Sequence, residues 1–220
     1  MNNTMMPYKY FTTRLPYSTF EKAGISSNNI LNSFVQSVLK ASKVRERVEY
    51  LRRVSVSVVT SSGEDAAVAK EVLKSMRLRE VRVVEASSNA SRTDFKRAFI
   101  RTDAVLGGFD FQMQKISAEA ASELGIPFVS WGVVTVILPD GFSFDEIEFE
   151  PFLKELNTLI RFDTLRGVLN GVVRSLQSLE IFKLFAGLGE PAFTPQALVP
   201  SLSLSRFELS VKKRRLRLKK

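Results

Sequence analysis

Four stretches of the chain carry the residue types from which a reaction or a charged-ligand site is made. The first, Thr60-Ser61-Ser62-Gly63-Glu64-Asp65, follows the apolar run Val54 to Val59 and stands where a nucleotide-binding α/β protein places its phosphate-cradling glycines. Only Gly63 is there. Ser62 and Asp65 form an S-x-x-D capping pattern for a helix carrying Val68, Val72, Leu73 and Met76, and Glu64 adds a second carboxylate. A phosphate brought within about 4 Å of either acid meets a repulsion of about 4 kcal/mol at an effective dielectric near 20. This helix start is built against phosphate. The second stretch is the turn Gly107-Gly108-Phe109-Asp110, at the carboxyl end of the short strand Ala104-Val105-Leu106, where an open α/β sheet takes small ligands. The third, Phe142 to Phe162, interleaves Phe142, Phe144, Phe149, Phe152 and Phe162 with Asp145, Glu146, Glu148, Glu150 and Glu155. Paired carboxylates can act as acid and base or hold a metal, but alternation with phenylalanine describes a solvated face over a packed one, and that is the expectation.

The fourth stretch is the basic end, in which Lys212, Lys213, Arg214, Arg215, Arg217, Lys219 and Lys220 hold most of the net charge of +9. Against nucleic acid, such a tail would make the log of affinity fall with log salt by about 0.9 per phosphate contacted. As the end of a last strand it would solubilise, since Phe207, Leu209, Val211, Leu216 and Leu218 alternate with polar residues.

Composition narrows the chemistry further. The 220 residues include no cysteine and no histidine. Disulfides, thioester intermediates, cysteine-ligated zinc and iron–sulfur clusters are therefore excluded, and the commonest general base and metal ligand is missing. Any catalysis would rest on carboxylates, lysines, arginines or hydroxyls. Met1 to Lys40 has no basic segment followed by an uninterrupted apolar one, and no run approaches the roughly 20 apolar residues of a membrane span. The expectation is a soluble, cytoplasmic protein with no membrane association.

The elements that must position these stretches are legible from periodicity. Thr102 to Leu138 reads as strand, helix, strand: after Ala104 to Leu106, the positions Met113, Ile116, Ala120 and Leu124 share one helix face. Gly125 supplies the left-handed residue that ends the helix. Ile126 to Leu138 is an almost continuous apolar run, predicting a strand covered on both faces. Upstream, Ile30, Leu31, Phe34, Val35, Val38 and Leu39 predict an amphipathic helix, and strands are expected at Val54 to Val59 and Val81 to Glu85. Downstream, Leu165, Leu169, Val172, Leu176 and Leu179 mark a long helix with Arg166, Asn170, Arg174, Gln177 and Glu180 as its solvated side. Gly167 and Gly171 permit close approach to a neighbour, and Gly187 ends the helix before two closing strands. The fold class is α/β: a Rossmann-like, doubly wound, mostly parallel sheet with helices on both faces and C-terminal antiparallel strands. One domain spans 1–220, with an aromatic arm at 1–29 that suits a dimer contact, a crossover-type insertion at 139–164 and a basic tail at 212–220.

The order DAVLGGFD, helix, LGIPFVSWGVV, then GVLNGVVRSLQSLEIFKLFAGLGEP and two terminal strands resembles the ThiF/MoeB and ubiquitin-activating-enzyme family, from about Gly63 to Lys220. Members of that family adenylate the C-terminus of a ubiquitin-like protein. The match is most specific at Gly167-Val168-Leu169, Ser175-Leu176-Gln177, Leu179-Glu180, Lys183-Leu184, Gly187 and Gly189-Glu190-Pro191. Asp103 and Asp110 resemble the spacing of the family's D-x-x-x-D-x-x-D-N segment. The resemblance thus implies that Asp110, with Lys115 and the Gly107-Gly108 turn, marks where magnesium and ATP would sit, as a vestigial cofactor site.

The departures from the pattern are as informative. The asparagine after the last aspartate is Phe111, and the family's G-K-x-K-A segment matches Gly63-Glu64-Asp65-Ala66-Ala67, so both lysines are lost. The glycine-rich loop survives at most as Gly24-Ile25-Ser26-Ser27-Asn28-Asn29, and the adenylation arginine has only Arg53 and Arg92 as candidates. With no cysteine, the thioester nucleophile and zinc ligands are absent. What the resemblance implies is a pseudo-enzyme: no catalytic residues, no cofactor and no metal. Its role would be a protein-binding or scaffold subunit, a homo- or heterodimer whose partner is a catalytic homologue or a ubiquitin-like protein. Three alternatives stay open: a working ATP·Mg-dependent adenylating enzyme, a nucleic-acid-associated protein acting through its basic tail, and a Rossmann-like domain for another small ligand at the Gly107-Gly108 turn.

Overall fold

The computed structural model of the chain describes residues 45–74, 76–149, 152, 163–203 and 208–219. The expected arm at 1–29, the helix from Ile30, the Gly24 to Asn29 turn, most of the acidic segment beyond Phe149, and Lys220 lie outside the described residues.

A helical stretch at 45–50 and a 3-10 turn at Leu51–Arg53 bury Leu51 and lead into strand β1, Ser55–Thr60. All six residues of β1 are buried, as a valine-rich strand in the middle of a parallel sheet must be. Its polar residues are satisfied sideways. Ser57 Oγ meets Thr102 Oγ1 at 2.7 Å, and the Ser55 N–H donates to Asp103 Oδ2 at 2.7 Å. Helix α1 (Gly63–Lys74) follows, then edge strand β2 (Glu80–Glu85), helix α2 (Arg92–Ala98), strand β3 (Ala104–Leu106), helix α3 (Phe111–Glu123) and strand β4 (Phe128–Val129). Strand β5 (Val136–Ile137), the long helix α4 (Asp163–Ala186) and strands β6 (Gln196–Ser203) and β7 (Glu208–Arg215) complete the order.

The sheet runs β2-β1-β3-β4-β5, parallel through its first four strands, and β5 is antiparallel to β4. Right-handed crossovers then dictate the layers. The chain moves from β1 to β2 in one direction and from β2 through β3 to β4 in the other, so α1 covers one face while α2 and α3 cover the opposite one. Helices α2 and α3 pack together and exchange the Lys96 to Glu123 (2.8 Å) and Arg92 to Glu123 (2.9 Å) ion pairs, while α4 packs on α1. This is the doubly wound, Rossmann-like arrangement that the periodicity predicts, closed by the antiparallel β6–β7 pair.

Several caps are those read from sequence. Asp110 accepts the Met113 N–H at 2.7 Å to start α3, Gly125 ends its turn at φ 71°, and Gly187 ends α4 at φ 62° with its N–H on Lys183 O. Two expectations need correction. The run Ile126 to Leu138 is buried but is not one strand: β4 and β5 are two residues each, joined by a reversal at 130–135. Ser130 Oγ donates to Val133 O and accepts the Thr135 N–H, the Trp131 N–H donates to Gln114 Oε1 at 2.7 Å, and Gly132 takes φ 82°. Side chains thus replace the ladder that a buried backbone would otherwise need. The second correction concerns α4. Arg174, Gln177 and Glu180 are among its most buried residues, at 1%, 0% and 0% exposure, whereas Leu179 and Val168 are 45% and 55% exposed. The helix is rotated from the expected orientation, and Gly167 and Gly171 face open space instead of a close neighbour.

Of the phenylalanines of the acidic segment, Phe144 and Phe149 pack inward while Phe142 is exposed. Phe144 and Phe149 are buried and stacked at 4.7 Å, with Phe111 5.3 Å from Phe144, while Asp145 and Glu146 face solvent.

Candidate functional site

In a sheet ordered 2-1-3-4-5, the crevice for a ligand lies where chain direction switches, at the carboxyl ends of β1 and β3. A cavity of about 490 Å³ opens there, lined by Ser61, Ser62, Glu64 and Asp65 from the start of α1, Phe109 after β3, and Arg166, Gly167 and Asn170 from the first turns of α4. The Arg166 guanidinium lies 5.8 Å from the centre of the Phe109 ring, and Phe109 packs edge-on against Trp131 at 4.9 Å.

The base of the crevice is an ion pair. Ser62 Oγ accepts the Asp65 N–H at 3.2 Å, the first half of the predicted capping box. The Asp65 carboxylate does not complete the box; it turns inward. Oδ1 accepts Arg174 Nε at 2.9 Å and Asn170 Nδ2 at 2.9 Å, and Oδ2 accepts Arg174 Nη2. Arg174 spends its other donors on the ends of the strands: Nη2 on Val59 O (3.2 Å), and Nη1 on Gly107 O (2.8 Å) and Gln177 Oε1 (2.8 Å). A guanidinium has five N–H groups in a fixed fork, and here every one meets an acceptor of the same chain. Gln177 extends the clamp. Its Nε2 lies 3.2, 3.0 and 3.1 Å from Gly107 O, Val129 O and Ser130 O, joining the ends of β3 and β4. Trp131 Nε1 donates to Asn170 Oδ1 at 3.1 Å, so the network runs unbroken from indole to strand end.

Burial pushes the Asp65 carboxyl up, but the hydrogen bonds and charge of Arg174, with Asn170 and Thr60 adding to them, outweigh it and hold Asp65 below its ordinary value. Asp65 is therefore ionised at neutral pH, opposite a cation that cannot lose its proton. Glu180, farther along α4, is used in the same way: it accepts Lys183 Nζ and the Ala192 N–H, both at 2.6 Å, and fixes the segment leading to β6.

Of the residues marked by the resemblance, Gly107 joins the base of the crevice through its carbonyl, whereas Asp110 and Lys115 stand apart from it. Asp110 is the cap of α3. Lys115 is paired with Asp145 at 2.7 Å, a contact that raises its pKa. Neither lines the cavity. Gly107 and Gly108 are glycines for packing: a Cβ on Gly108 would sit 2.7 Å from Val59 O, and one on Gly107 2.7 Å from the Phe128 ring. Arg92 pairs with Glu119 and Glu123, and Asp103 holds the start of β1. Among the described residues no cluster of three or more acidic side chains is placed to hold a metal ion.

The core of this network, Arg174 and Gln177, escaped the sequence reading, which set them on the solvent side. A signal was present: Leu169, Val173, Ile181 and Leu184 form an apolar stripe at helical spacing, and Arg174 and Gln177 fall inside it.

Of the basic residues, Lys212, Lys213, Arg214 and Arg215 lie on β7, and Arg217 and Lys219 on the strand-like end that follows. There the Glu148 N–H donates to Arg217 O and the Lys219 N–H to Glu146 O.

The sheet order, the helices on both faces and the crevice at the β1/β3 switch define a Rossmann-like α/β protein, and solved structures of the same build bear this out. PaaA superimposes with a TM-score of 0.53 over 89% of this chain and 86% of its own, at 13% identity. Escherichia coli MccB solved with succinimide gives 0.51 over 80% of this chain and 67% of its own, at 12% identity. MccB solved with AMPCPP and selenomethionine MccA gives 0.50, over 79% and 66%, at 12% identity. The chain spans about two thirds of MccB, and at these identities the likeness is one of fold, the ThiF/MoeB-like α/β fold. No protein-family model and no curated protein sequence matches the chain.

Proposed function

We propose that this chain is a non-catalytic relative of the ThiF/MoeB-type adenylating proteins, and that it serves as a protein-binding or scaffold subunit. The observation that carries the reading is the Asp65–Arg174 pair at the switch point. The chain's own charges meet at the base of the crevice that a nucleotide would need, and the Arg174 guanidinium there has no N–H left for a phosphate. A nucleoside triphosphate does not fit these residues. Its phosphates would face Glu64 and Asp65 at the helix start, where a phosphate-binding loop offers bare N–H groups. Gly63 has nothing within 4 Å of a would-be Cβ, so no part of this chain requires a glycine there. Asp110 and Lys115, the alternative magnesium and phosphate residues, are engaged as a helix cap and in an ion pair.

A protein partner is favoured by the company of the fold: MccB has been solved with MccA. A catalytic homologue or a ubiquitin-like protein, bound in a homo- or heterodimer, is the corresponding partner here.

Calorimetry with ATP·Mg²⁺ tests the reading, with Asp110→Ala alongside. No heat at high micromolar protein is the expected result. Micromolar binding that Asp110→Ala abolishes would sink it and make adenylation of a ubiquitin-like tail the next assay.

A further inference from the structure

A second, larger groove of about 540 Å³ lies between the β6–β7 ribbon and the residues Glu148 and Phe152. Four of its lining residues are Lys212, Arg214, Arg215 and Arg217, Glu148 is its one carboxylate among the described residues, and Phe152 and Val199 give it an apolar floor. Of the cations elsewhere, Arg52, Arg79, Arg82, Arg92, Lys96 and Lys115 each have a carboxylate within 4 Å. Among the described residues, Lys212, Lys213, Arg214, Arg215, Arg217 and Lys219 have none, nor any side-chain hydrogen bond, and 211–215 are all exposed. A single lysine suffices to keep an edge strand from pairing with another chain, so this density of open charge exceeds that need.

From this we infer that the β7 edge is a binding site for the phosphodiester backbone of nucleic acid. The placement of the charges distinguishes that ligand from an acidic peptide. Side chains alternate along a strand, so Lys212 and Arg214 fall on one face and Lys213 on the other. Arg215, at the strand end, borders both this groove and a second one formed with Glu190, Phe193 and Gln196. A peptide laid in this groove meets Lys212, Arg214, Arg215 and Arg217 but not Lys213 on the opposite face. A phosphodiester chain lying on the edge presents anionic oxygens to both faces, and guanidiniums, the majority in the groove, grip phosphate in bidentate fashion. With four phosphates neutralised, the log–log salt slope against duplex DNA is about 3.6, which is a loss of about 150-fold in affinity between 50 and 200 mM salt. The site is independent of the nucleotide crevice and does not rest on the scaffold reading.

The test is fluorescence anisotropy of the full chain with a fluorescein-labelled 20-base-pair duplex of arbitrary sequence, its single strand, and a labelled 20-residue poly-glutamate. The variant Lys212→Thr/Arg214→Thr/Arg215→Thr/Arg217→Thr is compared with Arg52→Thr/Lys70→Thr/Lys74→Thr/Arg97→Thr, which removes the same charge from exposed positions elsewhere. The expected result is duplex or single-strand binding with a steep salt slope, weakened at least tenfold and flattened by the ribbon variant but kept within about threefold by the control. Whichever nucleic acid binds more tightly identifies the physiological form. A slope below one, equal loss in both variants, or tighter binding of poly-glutamate than of either nucleic acid would overturn the inference. Should the ribbon variant fail to fold, Lys212→Glu alone serves, with a loss of at least threefold expected and an unchanged affinity counting against the site.

Discussion

The crevice between β1 and β3 and the edge of β7 both concentrate charge, and they treat it in opposite ways. At the crevice, Asp65 and Arg174 are withdrawn from water, 6% and 1% exposed, and every donor finds an acceptor of the same chain. At the edge, the cations of 212–215 are exposed and none is paired among the described residues. The difference teaches how charge can be read. A charge that the fold itself satisfies holds elements together and is closed to ligands, while a charge left open is available to a partner. Asp65 and Arg174, at the switch point, are of the first kind.

Removing one member of the buried pair should have the largest effect. Arg174→Ala leaves Asp65 buried without its counterion and takes a donor from three further acceptors, Val59 O, Gly107 O and Gln177 Oε1, a loss of about 3–5 kcal/mol. Urea unfolding measures it. Arg174→Met combined with Asp65→Leu should recover most of the loss, because two apolar groups of similar volume carry no desolvation penalty. A single-variant loss below about 1 kcal/mol would break the comparison at its buried end.

The next effect is steric. Gly108→Ala puts a Cβ 2.7 Å from the Val59 carbonyl, a backbone atom of β1 that cannot swing aside, and should cost about 1–3 kcal/mol. Gly63→Ala, at the mouth of the same crevice with nothing within 4 Å, should stay within about 0.5 kcal/mol. The pair separates a glycine needed for packing from one with no steric duty.

Acid should loosen the crevice as well. The folded Asp65 carboxyl titrates below its unfolded value of about 3.9, so its contribution to stability is fully present above that pH and is lost as pH falls through the folded value. Unfolding free energy measured from pH 5 to pH 2 should fall less steeply in Asp65→Asn than in the parent chain. Parallel curves would show that Arg174 does not act on this carboxyl.

The doubly wound fold was legible because its signals are local. The Val54 to Val59 run, the Gly125 and Gly187 stops and the Asp110 cap all act within a few residues of themselves. The crevice was legible only by half. Glu64 and Asp65 are visible as carboxylates at a helix start, but the partner of Asp65 lies 109 positions away on α4. A polar residue on a helix with apolar residues on two sides is ambiguous in orientation, and tertiary packing settled it in favour of burying Arg174 and exposing Leu179. Likewise, an apolar run such as 126–138 reports burial without reporting direction, and the reversal depended on Ser130, Gln114 and Thr135 meeting in space.

The smallest effect on stability belongs to the open edge, and it sharpens the comparison most directly. Lys212→Thr, Arg214→Thr and Arg217→Thr each remove a side chain with no partner among the described residues, and threonine keeps a strand-favouring residue in place. Each should move the unfolding free energy by no more than about 0.5 kcal/mol, against the 3–5 kcal/mol of Arg174→Ala on the same urea scale. Their sum need not vanish. Relieving repulsion among neighbouring cations acts in the stabilising direction and fades as salt screens it over about 8 Å at 0.15 M. Measured at 20 and at 500 mM salt, the triple variant should therefore be at least as stable as the parent at low salt and indistinguishable from it at high salt. A loss that persists at both would mean that the fold depends on these charges, and the edge would then belong with the crevice instead of opposite it.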